Sequence, residues 1–148
     1  MAGSGIRLKL NGFDELFSQI EKAGGTIDQA AETCLRSSAQ TMHDELQKQM
    51  RAAKVDGGLI DRMPPPEIEK SGNRYSARVG YAKGSYDQKN PSDAYKVVFL
   101  NYGTPHRTLR GQISGRGFIQ KAKKKASPQI KKQQQATLDA IMEGLKQG

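Results

Sequence analysis

The sequence predicts an α+β domain: an antiparallel β-sheet of about four strands with a long helix packed across it, a short N-terminal helix and a C-terminal helix. Three observations predict it. A period-two segment opens the chain, a long apolar stripe at helical spacing follows, and strand-like segments occupy the middle before a helix-forming tail. At 148 residues the chain is the size of one domain and can bury one core. Residues 1–148 are therefore read as a single domain.

The first strand is "IRLKL", where Ile6, Leu8 and Leu10 alternate with Arg7 and Lys9 as in a strand with one buried face. Asn11-Gly12 breaks it. Phe13, Leu16, Phe17 and Ile20 then recur at helical spacing until Gly24-Gly25 stops the helix. Thr26 suits the N-cap of the next element, with Asp28 and Glu32 near the positive end of its dipole. From there Ile27, Ala30, Ala31, Cys34, Leu35, Ala39, Met42, Leu46 and Met50 trace one apolar stripe, the long helix.

"DGGLIDRMPPP" reads as punctuation, since two glycines and three consecutive prolines oppose regular structure. "EIEKSGNRYSARVGY" reads as two strands around a Ser71-Gly72-Asn73 turn, with Tyr75, Ala77 and Val79 on one face. A polar loop, "AKGSYDQKNPSD", leads to "AYKVVFLNYG", whose nearly continuous apolar run predicts a fourth strand covered on both faces. Residues 118–147 return to helix formers. Ser127-Pro128 is expected to cap a second helical segment, because proline is tolerated at the first helical position.

Composition narrows the function classes. Hydrophobic residues are 35%, aromatics 6%, and there is no Trp. That describes a thin core, or a subunit that completes its burial against copies of itself. No apolar run approaches the roughly 18 residues of a membrane span. "MAGSGIRLKL" has no apolar core of a secretory signal, so none is expected. One cysteine and two histidines are too few soft ligands for a metal cage, and no cofactor is expected.

The charge of +9 is unevenly placed. Residues 1–74 hold ten Lys/Arg against eleven Asp/Glu, whereas residues 75–148 hold fourteen against four. No acidic residue lies between Asp93 and Asp139, where Lys96, Arg107, Arg110, Arg116, Lys121, Lys123, Lys124, Lys125, Lys131 and Lys132 all fall. Such a block attracts a polyanion or an acidic protein face.

Catalytic constellations are not supplied. Gly103, Gly111, Gly115 and Gly117 match neither GxxxxGK[ST] nor a GxGxxG opening a helix after a strand. His106 sits between Pro105 and Arg107 with no acid nearby in sequence to orient it, so a loop histidine is favoured over a general base. His43 falls on the polar side of the long helix and Cys34 within its apolar stripe, where core packing is favoured over a nucleophile. Asp14-Glu15 and Asp44-Glu45 are adjacent in sequence and point apart on a helix. The alternative that the residue chemistry keeps open is a basic nucleic-acid-binding module using the cationic segment 107–132, with Tyr95, Phe99 and Tyr102 as stacking surfaces.

Tyr102-Gly103-Thr104, followed after a basic loop by Gly117-Phe118-Ile119 and Ala122, resembles the tail-completion or head-tail joining proteins of long-tailed bacteriophages, in the neighbourhood of lambda minor tail protein Z. The likeness runs in order through "LNGFDEL", the stripe from Ile27 to Met50, Gly57-Gly58-Leu59, "RYSARVGY", "VVFLNYGT" and "RGFIQKA". Asn101 stands where the family commonly has Glu, and Arg116-Gly117-Phe118 lacks the usual middle proline.

The resemblance implies a non-enzymatic virion protein that forms a ring, six-fold, at the head-tail junction, capping the tail and joining it to the head. Its partners would be neck or head-completion and tail-tube proteins, with genomic DNA passing through the channel. It would sit in the virion and, during assembly, in the host cytoplasm. The loop 103–117 would be a flexible assembly arm, anchored on the sheet by Tyr102 and Phe118. Gly103 and Thr104 would complete the interface, and Arg107, Arg110 and Arg116 would be left to meet partners. Lys121, Lys123, Lys124, Lys125, Lys131 and Lys132 would face DNA or an acidic partner.

Overall fold

Two long helices carry most of the apolar surface, and their residue spacing explains why they lie together. In the computed structural model, which describes residues 5–10, 13–71, 74–81, 93–103 and 114–147, α2 (Ile27–Ala52) and α5 (Phe118–Gln147) pack as an antiparallel pair. Helix α2 buries Ala30, Cys34, Ser38, Met42, Leu46 and Met50 along one i, i+4 row, with Ala31, Leu35 and Ala39 beside it. Helix α5 presents the matching row Ala122, Ala126, Ile130, Gln134 and Leu138. Rows at this spacing form the ridges by which helices interdigitate, and the alanines let the two backbones approach. Met42, Leu46 and Met50 share a cluster with Phe118, Ile119 and Ala122, whereas Ala30, Ala31 and Cys34 share one with Leu138.

Polar groups in this seam are satisfied locally. The Ser38 hydroxyl donates to the Cys34 carbonyl at 2.9 Å, and the Thr41 hydroxyl to Gln133 Oε1 at 2.9 Å. Burial pushes the Cys34 thiol up to about 11, so it remains protonated and acts as a small apolar core residue, as its place in the stripe predicts.

On α2 lies a three-stranded antiparallel sheet in the order β1-β3-β2, formed by β1 (Ile6–Lys9), β2 (Glu67–Ser71) and β3 (Arg74–Val79). Register places Ile6 opposite Val79, and Ala77 between Leu8 and Ile68. Ile6, Ala77 and Val79 are buried, and Leu8, Ile68 and Tyr75 pack at the margin. The opposite face sets Arg7 beside Arg78, two like charges that share Glu69 at 3.5 and 3.8 Å. Gly72 and Asn73 of the expected turn, and residues 82–92 of the expected polar loop, lie outside the described residues.

α1 (Asp14–Lys22) buries Phe17 and Ile20, with Phe13 just before it, and ends before Gly24-Gly25 as the sequence predicts. The Thr26 side chain accepts from the Gln29 amide at 3.3 Å, which makes it the N-cap of α2. In the first turn Asp28 accepts from Lys70 Nζ at 2.9 Å and from the Tyr75 hydroxyl. The Tyr75 hydrogen bond, then that of Lys70, holds the Asp28 carboxyl below its ordinary range and ties the start of α2 to the hairpin.

The structure corrects three expectations. First, residues 94–103 are not a fourth strand: Asp93–Tyr102 forms helix α4. A short apolar run reads equally as buried strand or helix. What decides is that Ala94, Val97 and Asn101, at i, i+3 and i+7, are the buried positions. Second, the punctuation segment contains helix α3 (Gly57–Asp61). Asp56 caps it by accepting from the Leu59 amide at 3.2 Å, Leu59 and Ile60 are buried, and the Tyr81 hydroxyl donates to the Leu59 carbonyl at 2.6 Å. These tertiary contacts outweigh the poor helix propensity of two glycines. Third, Pro128 does not start a new segment but lies inside the continuous α5. Ala126 and Ile130 on either side of it are buried, so packing on α2 carries the helix past the missing N–H.

Arg62 bridges α3 to α4, donating from Nε to Asp93 Oδ2 at 3.0 Å and from Nη2 to Oδ1 at 3.2 Å. Hydrogen bonding to Arg62 holds the Asp93 carboxyl below its ordinary range. A depressed carboxylate stabilises the fold above its unfolded pKa and loses that contribution as pH falls through the folded one. Asp93→Asn should therefore lower the thermal midpoint at pH 7 by an amount worth at most about 1 kcal/mol, as for a partly exposed pair. The difference from the parent should shrink in melts as the pH falls below the ordinary aspartate range and Asp93 protonates.

Pro128→Ala restores the hydrogen bond to the Lys124 carbonyl, at the cost of a looser unfolded chain. The expected gain is about 2 kcal/mol. In a domain of this size that raises the melting midpoint by roughly 4–8 °C.

Candidate functional site

The segment that the sequence singles out begins and ends at one junction. Helix α4 stops at Gly103, whose amide donates to the Phe99 carbonyl at 2.8 Å and whose φ of +81° turns the chain out of the helix. The chain returns at Ser114, which forms an antiparallel bridge with Gly103. Two further amides then close on the end of α4: Arg116 donates to the Leu100 carbonyl at 3.0 Å and Gly117 to the Asn101 carbonyl at 3.0 Å. A helix leaves its last carbonyls without partners, and here the returning chain supplies them.

Gly115 is required by contact. A Cβ there would lie 2.7 and 2.8 Å from the Tyr102 carbonyl carbon and oxygen and 2.9 Å from the Asn101 oxygen. These are backbone atoms, which a side chain cannot push aside.

Asn101 joins the two helices. Its side chain, 2% exposed, accepts from the Ile119 amide at 2.8 Å, so a residue 18 positions away serves as the cap of α5. Its Nδ2 is buried with no hydrogen-bond partner among the described residues. The sequence shows only a polar residue inside an apolar run, and that lone amide is the signal by which this function could have been found.

Of the residues expected to act here, the structure brings together Tyr102, Gly103, Arg116 and Phe118 at the junction. Phe118 is fully buried and anchors the returning chain in the core. Tyr102 does not anchor it: the side chain is 48% exposed. The correction follows from α4 being a helix, because Tyr102 is one residue, about 100°, round from the buried Asn101. Arg116 is exposed, and part of its guanidinium serves the fold. Its Nη1 donates to the Ala53 carbonyl at 3.1 Å and the Lys54 carbonyl at 3.4 Å, capping the negative end of α2. Thr104, Arg107 and Arg110 lie outside the described residues, as does His106.

Lys121, Lys123, Lys124, Lys125, Lys131 and Lys132 are all exposed on α5. By helical position Lys121, Lys124, Lys125, Lys131 and Lys132 share the side opposite the buried row, with Lys123 on another flank. None of them enters an ion pair among the described residues. Lys9 of β1 and Lys131 line one shallow groove of about 230 Å³, together with Leu8, Phe13 and Ile130. His43 is part-buried on α2, its Nδ1 without a hydrogen-bond partner among the described residues. Among the described residues no three His, Cys, Asp or Glu side chains are grouped to hold a metal ion, and no helix is long and apolar enough to cross a membrane.

No family model, no curated protein and no solved structure matches the chain.

The junction makes a ranked prediction. Gly115→Ala should cost about 1–3 kcal/mol through forced backbone displacement. Asn101→Ala should cost about 1–2 kcal/mol through the lost cap. Tyr102→Ala, touching no such feature, should stay within roughly 0.5 kcal/mol. Urea unfolding of the three variants checks the order.

Proposed function

We propose that the protein is a non-enzymatic structural subunit of the head-tail junction of a long-tailed bacteriophage, a tail-completion or terminator protein that assembles as a ring. One observation carries this reading: the resemblance motifs at Tyr102-Gly103 and Gly117-Phe118-Ile119, at the end of one helix and the start of the next, meet at a single braced base. A basic segment held at both ends by backbone hydrogen bonds and a buried phenylalanine suits a part that engages a neighbour while the body stays rigid. Tyr102, exposed beside that base, supplies an aromatic of the kind enriched at protein interfaces. The order of elements supports the reading except at 93–102, where this chain is helical and the family pattern expects a strand.

Genetic complementation tests it. A phage lacking this gene should accumulate filled heads and tails that do not join, and adding the purified protein should restore joining. Tyr102→Ala should reduce restoration at least tenfold while leaving the melting midpoint unchanged. Normal joining without the gene would overturn the proposal.

A further inference from the structure

The exposed side of α5 carries Lys121, Lys124, Lys125, Lys131 and Lys132 within three turns of helix, about 17 Å of its length. No acidic residue on α5 precedes Asp139, whose carboxylate accepts from Gln135 Nε2 at 3.0 Å. Lys9, across the groove shared with Lys131, extends the positive surface onto β1. Arg116 is held by the end of α2, so the lysines form a patch of their own.

We propose that this lysine face is a docking surface for the phosphate backbone of duplex DNA. The inference does not depend on the ring-subunit reading. Charge complementarity gives the class of partner, and the rest of the face chooses within it. A protein partner would be met by apolar and aromatic anchors, and lysine is depleted where protein interfaces are buried. The face has none of those anchors; Tyr102 is the one large apolar side chain exposed among the described residues, and it is on α4. Single-stranded nucleic acid would be met by stacking platforms, which this face also lacks. Duplex DNA presents one phosphate charge per strand about every 3.4 Å of axis, or about five along the length of the lysine rows. Five lysines match that number. Lysines are point charges without the bidentate fork that reads base edges, so the contact positions the duplex without reading its sequence.

The full chain titrated into a fluorescent mixed-sequence 30-base-pair duplex, followed by anisotropy, tests this. Log K should fall with log salt at a slope of about −4.5, from five contacts at about 0.9 each. Between 50 and 200 mM salt that is roughly a 500-fold loss of affinity. Lys124→Gln with Lys131→Gln should reduce the slope by about 1.8. Lys22→Gln, at the far end of α1, should leave it unchanged. A duplex of unrelated sequence should bind within about twofold of the first, as phosphate contacts carry no sequence information. Absence of binding at 50 mM salt would overturn the proposal. So would a slope indifferent to the α5 substitutions, or tighter binding to single-stranded DNA or to polyglutamate than to the duplex.

Discussion

The i, i+4 rows of α2 and α5 cover each other, and the other elements pack around that contact. With α5 covering one side of α2, the sheet has α2 as its floor, and β3, the central strand, lies against it. Phe13 and Phe17, before and within α1, close one end of the pair beside Leu138, while Leu59 and Ile60 of α3 join the cluster at the other. The same contact explains why Pro128 does not end a helix. A residue that costs about 3 kcal/mol in a helix interior is tolerated when buried neighbours on both sides hold the backbone in place.

A second constraint is the mutual capping of helix ends at the junction. The carbonyls that end α4 are met by the amides of Arg116 and Gly117, the start of α5 by Asn101, and the end of α2 by the Arg116 side chain. Three helix termini thus meet in one hydrogen-bonded knot, with Gly115 threaded against backbone where no larger residue fits. The knot also separates the cations into two kinds: Arg116, whose side chain caps α2, and the α5 lysines, which face solvent with no acidic partner among the described residues.

The two functional proposals use different parts of this arrangement. The assembly reading rests on the braced base and on Tyr102 beside it. DNA docking rests on the lysine face, one side of a helix whose opposite side is buried in the core. A single subunit can serve both, since α5 begins at the junction and carries the lysines away from it.

How much was legible in the sequence follows from the range of the forces involved. The alternation of Ile6 and Leu8, the stripe of α2, the Thr26 cap and the acid-free lysine block are local patterns, and each appears in the structure where the sequence places it. The apolar run at 94–102 was ambiguous because burial on one face of a helix or on both faces of a strand requires the same composition. The caps that Asn101 and Arg116 make were beyond reading: the lone amide in the apolar run marks Asn101, but the partners are 18 and 63 positions away and the sequence does not name them. By itself the sequence determined the amphipathic helices, the hairpin and the sign of the charged surface, because these depend on periodicity and count. Only the tertiary structure decided that 93–102 is helical, that α5 runs through its proline, and which cations are committed to the fold. Those outcomes depend on which buried groups find partners across the molecule.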